Sequence, residues 1–572
     1  MPILFNILGP SIAHITICTK FIDIAAITLL AVLGQRCPRL ISFGWSSEAE
    51  FSEGLVRALA NVVRPWTHLT MQLNADALRT ALAMSPATVL YTFKRHFTTA
   101  DWDIFFGYAR RVTTLHLSTE ATSTSHSEHQ LLVNQRIDVS IFQVLCKPPD
   151  SRPLFPRLRQ LGWYDDTAHD TLSFMRLLIT GNPSIRHLTV YAEIMDVRML
   201  SLVATLGQLF PSLSYLQWGD SLDTVLTDDI AEAFSNCVYA WGNLAHLECP
   251  TLNADALLHL SSLNSLEYLG LTIPAILPVH REPQLNMFSV VHGLSLLTHS
   301  HQSLTDVAHF LELIVASPED IFVVAEMTVD AGVAAFMETL SRHCDHTSLH
   351  KLHIMEFYTD APQSDRERLA LGYNALRPLF SFGALTSLDI DSGRRVLLDD
   401  NGLLAIADAL PKLESLGINE RCGWRTCPLT TLQILPKLLS RLRDLSYLSI
   451  ALDTRRQYPE GDTIKVIVEN GIPEIARVTN LNFTLNLLDS RAGTNDILHV
   501  AAFLTDVFPT LEYFSVWSLD DSPLDSEDND DEDTELQPSR WRQIEDAMDV
   551  MRDVRRQKRT GSVGSTASGS DE

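Results

Sequence analysis

Cysteine is sparse in this sequence, and no apolar run is long enough to span a membrane. Only eight cysteines occur in 572 residues, and no two form a CxxC pair. This pattern fits neither a disulfide scaffold nor paired zinc ligands. The apolar run Ile24–Leu33 is well short of the ~20 residues that cross a bilayer, and no Lys or Arg precedes Lys20, as a signal peptide would require. We expect no membrane partner and an intracellular location, either cytoplasmic or nuclear.

Positive charge is also scarce. The chain has 44 Lys and Arg against 70 Asp and Glu, which gives a net charge of −26. Nucleic acids and anionic lipids bind proteins through positive surfaces. The charge therefore predicts no nucleic-acid partner, and it favours protein partners with basic patches.

The sequence lacks the motifs of catalysis and of cofactor binding. No phosphate-binding P-loop, GxGxxG, GxSxG or HExxH occurs. Asp389 and Asp391 stand alone at a predicted strand end, whereas calcium needs more carboxylates in one loop. Four histidines and a cysteine do fall close together, but two of them lie within a predicted strand: His343, Cys344, His346, His350 and His353. We expect no metal, no cofactor and no enzymatic activity.

What the sequence does contain is an internal repeat. Its core is six residues long: an aliphatic residue, two variable residues, an aliphatic residue or Phe, one variable residue and an apolar residue. The pattern occurs fifteen times, starting at Ile12, Leu40, Trp66, Val112, Leu158, Ile185, Leu213, Leu244, Leu266, Leu349, Leu385, Leu413, Leu445, Val478 and Leu511. Six of these follow a proline by two residues, as in PSLSYLQW at Pro211. The gap between Leu266 and Leu349 would hold three units, with degenerate starts near Leu294 and Phe322.

The repeat predicts a strand followed by a helix. Pro before a strand cannot continue the preceding helix. Between strands, apolar residues at helical spacing predict helices over Phe21–Leu33, Thr167–Ile179, Thr305–Ala316, Asp400–Leu410 and Thr494–Phe508. A unit of about 28 residues cannot bury its own apolar face, so the units must stack. The expected fold is an α/β leucine-rich-repeat solenoid of about 15–18 repeats over residues 1–519, curved, with parallel strands on the concave face and helices outside.

The C-terminal end has a different composition. Ten acidic and no basic residues lie between Asp520 and Glu535, so residues 520–539 are expected to form a disordered linker. Apolar residues at helical spacing then predict a short amphipathic helix over 540–559 with a basic end. Residues 560–572 have the low complexity of a disordered tail. The basic cluster Arg555–Arg559 fits either a nuclear-import patch or a solvated helix end.

The repeat register also predicts a binding surface. Strand side chains alternate, so the third and fifth residues of the pattern should line the concave face. The third residues include four His and four Tyr, and His187, Tyr215, His246 and Tyr268 are consecutive. Strands lie ~4.8 Å apart, so we expect these four to form one exposed ladder, whose histidines would gain charge near pH 6. Either the ladder binds a partner protein, or Tyr simply suits an exposed strand.

These strands and the segment Leu252–Pro274 (LNADALLHLSSLNSLEYLGLTIP) resemble fungal F-box/leucine-rich-repeat proteins over about residues 3–519. The resemblance implies binding of an SCF ubiquitin-ligase adaptor through an N-terminal F-box, and substrate presentation on the repeats. The first repeat strand begins at Ile12, which leaves no room for an F-box before it, so an SCF adaptor is expected only if an F-box lies upstream. The predicted function is protein recognition, as a substrate-binding relative of SCF receptors. The alternatives are an F-box-independent binding or inhibitor scaffold and, more distantly, an enzyme.

Overall fold

The computed structural model describes most of the chain and divides it into two compact units. The first unit comprises Met1–Thr224 and Asn236–Leu244, and the second comprises Val225–Ser235 and Ala245–Glu572. The described residues are 14–19, 42–47, 68–73, 89–91, 98–118, 135–137, 143–149, 152–164, 168–191, 197–219, 227–274, 288, 290–299, 302–314, 316–327, 332–357, 370–421, 423–424, 427–455, 483–487, 490–493, 497–509, 511, 513–515 and 537–563.

The first unit contains three sets of parallel strands. Its strands are β1 (His14–Thr19), β2 (Ser42–Ser47), β3 (His68–Leu73), β4 (Val89–Tyr91), β5 (Thr114–Ser118), β6 (Gln135–Ile137), β7 (Gln160–Tyr164), β8 (His187–Tyr191) and β9 (Tyr215–Gly219). The first three strands pair in the order β1-β2-β3, β4 pairs with β6, and the others follow the order β5-β7-β8-β9. The helices are α1 (Thr99–Ala109), α2 (Ala168–Gly181) and α3 (Val197–Leu209), and the boundary between the units falls within α4 (Asp228–Val238).

The second unit repeats the strand–helix alternation over a longer stretch. Its strands are β10 (His246–Cys249), β11 (Tyr268–Thr272), β12 (Gly293–Leu297), β13 (Asp320–Glu326), β14 (Lys351–Phe357), β15 (Leu371–Gly372), β16 (Ser387–Ser392), β17 (Val396–Leu397), β18 (Ser415–Ile418), β19 (Tyr447–Ile450), β20 (Thr484–Leu487) and β21 (Tyr513–Ser515). All of them pair in parallel in chain order, except that β15 and β17 form a small sheet of their own.

Helices connect many of these strands. They are α5 (Ala254–Ser261), α6 (Leu304–Leu313), α7 (Gly332–His343), α8 (Tyr373–Leu376), α9 (Asp400–Ala409), α10 (Ile434–Arg441), α11 (Ile497–Val507) and α12 (Gln537–Val563). Local sequence fixes their starts: Ser303 and Asp306 form a capping box before α6, and the Asp399 side chain accepts from the Gly402 amide before α9. The helices predicted over Thr305–Ala316 and Asp400–Leu410 are therefore confirmed to within a few residues.

The strand register matches the repeat register. At fourteen of the fifteen predicted starts, all but Val478, a strand begins at the third residue of the pattern, as Tyr215 does in β9 and Tyr447 in β19. The fourth and sixth residues point to the core, and Leu216 and Trp218 are accordingly buried. The third and fifth residues lie on the opposite side of the sheet, which we call the open face. Parallel strands alternating with helices confirm the predicted α/β fold, a leucine-rich-repeat-like arrangement.

At two places the structure defines the strand register more precisely than the sequence pattern does. The gap between Leu266 and Leu349 holds β12 and β13, close to the degenerate starts expected near Leu294 and Phe322. The strand predicted to start at Val478, with Asn480 as its third residue, lies outside the described residues. Thr484 pairs with Tyr447 instead.

Helix α12 packs against the C-terminal end of the second unit. Trp541 donates its Nε1–H to the Ser490 carbonyl at 2.7 Å, and Ile544 and Met548 are buried. Arg555 donates to the Thr505 carbonyl at 3.0 Å and forms an ion pair with Asp506. Arg555 is therefore part of the packing of this unit.

The helix covers the predicted segment 540–559 and continues to Val563, into the segment predicted as a disordered tail. Most of the acidic segment, residues 520–536, lies outside the described residues. No helix within the described ranges has the length and apolarity needed to cross a membrane.

Candidate functional site

The predicted ladder residues occur as two in-register pairs, one in each unit. In the first unit His187 lies opposite Tyr215, with ring centroids 5.8 Å apart and planes inclined by 53°. The His187 Nδ1 lies 3.3 Å from Gln160 Nε2, and the Tyr215 hydroxyl donates to Gln217 Oε1 at 3.1 Å. Side chains on three strands are thus tied together across the open face of this unit.

In the second unit His246 lies opposite Tyr268 and stacks on it. The ring centroids are 4.1 Å apart and the planes are inclined by only 3°. Burial lowers the pKa of His246 to about 4, because charging an imidazole in a poorly solvated place is unfavourable. The expectation that this histidine gains charge near pH 6 is therefore wrong, and the stacked pair is neutral at physiological pH.

All four ladder residues are half-buried, whereas the sequence predicted exposed side chains. The reason is lateral packing, because each ring lies against the side chain of the neighbouring strand. The two pairs belong to different units, so a continuous ladder of four residues stays a prediction. Within each unit, the rings are partly covered by protein and partly exposed to solvent.

Glycines on neighbouring strands make room for these large side chains. Gly293 is the register partner of Tyr268, and a Cβ placed on it would lie 2.5 Å from the tyrosine ring. Gly219 has the same relation to Tyr191, at 2.2 Å. A Cβ almost never lies within 3.0 Å of a non-bonded ring carbon, so any side chain at these two positions would force the tyrosine rings to shift.

A second group of open-face side chains lies further along the sheet of the second unit, at fifth positions of the repeat. His353 and Asp389 are register partners on β14 and β16, and His353 Nδ1 lies 3.1 Å from Asp389 Oδ2. The His353 ring also contacts Phe322, the residue opposite on β13, with centroids 4.8 Å apart. These side chains keep about 30% of their surface exposed, 32% for His353 and 27% for Asp389.

Asp389 leans over a glycine in the same way as the tyrosines. Its register partner on β18 is Gly417, and a Cβ there would lie 2.9 Å from Asp389 Oδ1. Burial raises the pKa of Asp389 to about 7, and the nearby carboxylates of Glu420 and Asp391 add to this, while Arg421 opposes it. We call Asp389, Asp391 and Glu420 the acidic cluster. Its negative charges repel one another at the open face.

Within the described residues, the cation Arg421 lies beside this cluster and contacts Asp391. The Arg421 amide donates to Asp391 Oδ1 at 3.1 Å, and its Nε lies 3.6 Å from Asp391 Oδ2. Its Nη1 also lies 3.7 Å from the Met355 sulfur. Asp391 is 3% exposed, so this pair anchors the segment after β18 to the sheet.

Asn419 gives that segment its direction. It adopts φ 55°, a left-handed conformation that Asn tolerates better than most residues. Its buried amide donates to the carbonyls of Arg394 and Gly423 and accepts from the Ser392 amide at 2.8 Å. Because Asn419 turns the chain at the end of β18, the next residue, Glu420, reaches the open face.

Glu420 is positioned by two residues of the following strands. Its Oε1 lies 3.5 Å from Asn486 Nδ2, and it also bonds the Tyr447 hydroxyl. Burial raises the pKa of Tyr447, and the hydrogen bond and charge of Glu420 raise it further. The phenol therefore stays protonated and donates to the carboxylate.

The same strands carry a carboxylate that is fully paired. Glu356 on β14 forms two short hydrogen bonds with Arg394, at 2.6 and 2.7 Å. Its side chain has 0% exposure, and that of Arg394 has 3%. The buried Glu356 is thus paired directly with a cation, whereas Asp389 shares Arg421 with Asp391.

Sequence reasoning found some of these residues and missed their combination. In the sequence, His353, Asp389 and Asp391 stand out only as residue types that can bind metals. Glu420 could not be placed, because it follows its strand and owes its position to the Asn419 turn. The available signal was the row of polar fifth positions, which His353, Asp389 and Ser449 share.

Comparisons with known proteins place the chain in no known family. No protein-family model matches the sequence, and no curated protein matches it. Among solved structures, one that matches is the crystal structure of the Rad7 and Elc1 complex in yeast, at 14% sequence identity and a TM-score of 0.32. The match covers 62% of this chain and 84% of that chain. The fold assignment rests on the repeat register and the parallel sheets described above.

Proposed function

We propose that this protein is a recognition scaffold that binds another protein on the open face of its repeat sheets. The observation that carries the proposal is the lining of that face. Half-buried aromatic and polar side chains lie in register on neighbouring strands there, as in the stacked pair of His246 and Tyr268. Tyr is enriched at binding hot spots because it is large, rigid and able to form hydrogen bonds.

Physical features of the face support this role. The tyrosines are partly immobilised by their neighbours, so little conformational entropy remains to be lost on binding. The glycines beside Tyr191 and Tyr268 leave the space that these rings occupy. Nothing in the scaffold proposal requires a catalytic step, a cofactor or a metal.

Affinity capture of the full chain followed by mass spectrometry tests the proposal. The partners recovered are then bound to purified protein, wild type and with Tyr215→Ala and Tyr268→Ala. Each substitution should weaken binding by about 2 kcal/mol if the tyrosine is a hot spot. It should also lower the free energy of unfolding by about 1 kcal/mol, because the neighbouring histidine loses an aromatic contact.

A matched control is available in Tyr239. It lies after α4, away from the strands, and is 43% exposed. Tyr239→Ala should leave partner affinity unchanged. If the two open-face variants bind as tightly as this control, the partner is recognised elsewhere on the chain.

A finer form of the proposal is a substrate-binding role related to SCF ubiquitin-ligase receptors. What supports it is the resemblance of the repeat sequences, including Leu252–Pro274, to fungal F-box/leucine-rich-repeat proteins. The same capture experiment discriminates between the forms. Recovery of an SCF adaptor and cullin favours ligase coupling, and stable partners without them favour an F-box-independent scaffold or inhibitor.

A further inference from the structure

The acidic cluster on the open face carries more negative than positive charge. Among the residues that the structure describes, Asp389, Asp391 and Glu420 face the guanidinium of Arg421, which lies against Asp391. The neighbouring open-face residues Lys351 and Asp320 form an ion pair with an N–O distance of 3.3 Å, so their charges cancel. Asp389 and Glu420 are therefore left with a shared excess of negative charge.

Buried polar atoms in the same row have unused hydrogen-bonding capacity. The fifth positions align as His353, Asp389, Gly417, Ser449 and Asn486 across five strands. Within the described part of the chain, His353 Nε2, Asp389 Oδ1, Ser449 Oγ and Asn486 Oδ1 are buried without a hydrogen-bond partner. Ser449 is 0% exposed, and it lies on the open face because its strand neighbours Leu448 and Ile450 face the core.

The chemistry of these atoms is one-sided. A carboxylate oxygen and an amide oxygen only accept, a serine hydroxyl can accept, and a histidine whose Nδ1 donates to a carboxylate accepts at Nε2. Their lone pairs add negative potential to that of Asp389 and Glu420. The Asp389 side chain is 27% exposed, so this negative potential extends to the solvent. Such a place suits a ligand group that is positively charged and only donates hydrogen bonds.

We infer that the acidic cluster binds a lysine or arginine side chain of the partner protein, with Asp389 and Glu420 as its direct contacts. This inference rests on the proposed function and specifies the chemistry of the partner. A basic side chain in this place lies between the two carboxylates and relieves their repulsion. The net charge of −26 agrees with a partner that carries a basic segment.

A metal ion is a poorer occupant for this geometry. Asp391 is engaged by Arg421, and Glu420 by Tyr447 and Asn486. No three His, Cys, Asp or Glu side chains among the described residues converge as metal ligands.

A random-peptide phage library panned on the full-length protein tests the inference. Three immobilised proteins are compared: wild type, Asp389→Asn/Glu420→Gln and Asp320→Asn. The last is the matched control, because it removes an open-face carboxylate that already has Lys351 as partner. Wild type and the control should enrich peptides with Lys or Arg at one fixed position. A synthetic peptide of the enriched sequence should bind the double variant at least tenfold more weakly.

Three results would overturn the inference: no enrichment on wild type, enriched peptides without a basic position, or equal peptide affinity for the double variant. Thermal melting checks that the double variant is folded. If it is not, Asp389→Asn alone should still weaken peptide binding at least threefold, and unchanged binding overturns the inference. The proposed function is judged separately, by captured proteins and the tyrosine variants, so either can fail alone.

Discussion

Two histidines on the open face of the second unit occupy similar positions and have different surroundings. His246 stacks on Tyr268, a neutral ring, and burial keeps it uncharged. His353 contacts Phe322 on one side and the Asp389 carboxylate on the other. Burial also lowers the pKa of His353, as does the charge of Arg421. The His246–Tyr268 pair is thus uncharged and stacked, whereas His353 borders a charged cluster whose carboxylates repel one another.

The difference shows that register neighbours decide what an open-face residue can do. A ring opposite a ring gives a rigid apolar surface with a polar edge, suited to shape recognition. Carboxylates that lie close together repel one another, and a bound cation lowers this repulsion energy. Natural proteins tend to break packing rules where function requires it, and the acidic cluster is such a place.

The largest expected effect comes from changing two carboxylates of neighbouring strands to amides. Glu356→Gln should lower the free energy of unfolding by about 3–5 kcal/mol, because it leaves the buried Arg394 charge uncompensated. Asp389→Asn should instead raise it, by about 2 kcal/mol at pH 8, because ionised Asp389 is unfavourable in the folded state. Chemical denaturation of both variants measures whether the free energy of unfolding falls or rises.

The pH dependence of Asp389→Asn follows from the direction of the shift. The pKa of Asp389 is raised to about 7 in the folded protein, so the folded state binds more protons than the unfolded state between about pH 4 and 7. Wild type therefore loses stability as the pH rises through this window. The advantage of the variant should be present at pH 8 and vanish near pH 4. The titratable and charged groups beside Asp389 are His353, Asp391, Glu420, Arg421 and Tyr447. An equal gain at both pH values would refute a charge-based origin.

A smaller effect is expected on the neutral side of the comparison. Gly293→Ala places a methyl group 2.5 Å from the Tyr268 ring, so the ring must leave its position between Gly293 and the stacked His246. We expect a loss of about 1–2 kcal/mol in unfolding free energy from this overpacking. Gly383→Ala is the control, since a Cβ there meets nothing within 4 Å. Equal stability of the two variants would show that the stacked pair is not held by its glycine neighbour.

The fold was predictable from the sequence because the buried positions of each strand require apolar residues at a regular spacing. Leucine-like residues at fourth and sixth positions recur wherever a strand faces the core, so strands such as β9 and β19 start where the pattern predicts. The register was harder to read near Leu294 and Phe322, because the strands begin at Gly293 and Asp320 and so make Leu294 a fourth residue and Phe322 a fifth residue of the repeat. At the end of the sheet, Thr484 takes the place expected for Asn480, because more than one frame fits an apolar-rich stretch.

The candidate site was predictable only in part. Alternation placed His246 and Tyr268 on one face and opposite each other, since strand geometry alone decides this. Their partial burial and the lowered pKa of His246 depend on lateral contacts with other strands. The acidic cluster depends on even longer-range structure: Arg421 contacts Asp391 from 30 residues away, through a turn set by the left-handed Asn419. Single-sequence patterns carry no information on such contacts.

Carboxyl footprinting by mass spectrometry tests the central claim most directly. A captured partner is bound to the full-length protein, and exposed Asp and Glu side chains are labelled in the free and bound states. We predict at least fivefold lower labelling of Glu420 on binding, and unchanged labelling of Glu338 and Asp408 on the helices, which are 66% and 60% exposed. Protection of the helix carboxylates with unchanged labelling of Glu420 would contradict recognition by the open face.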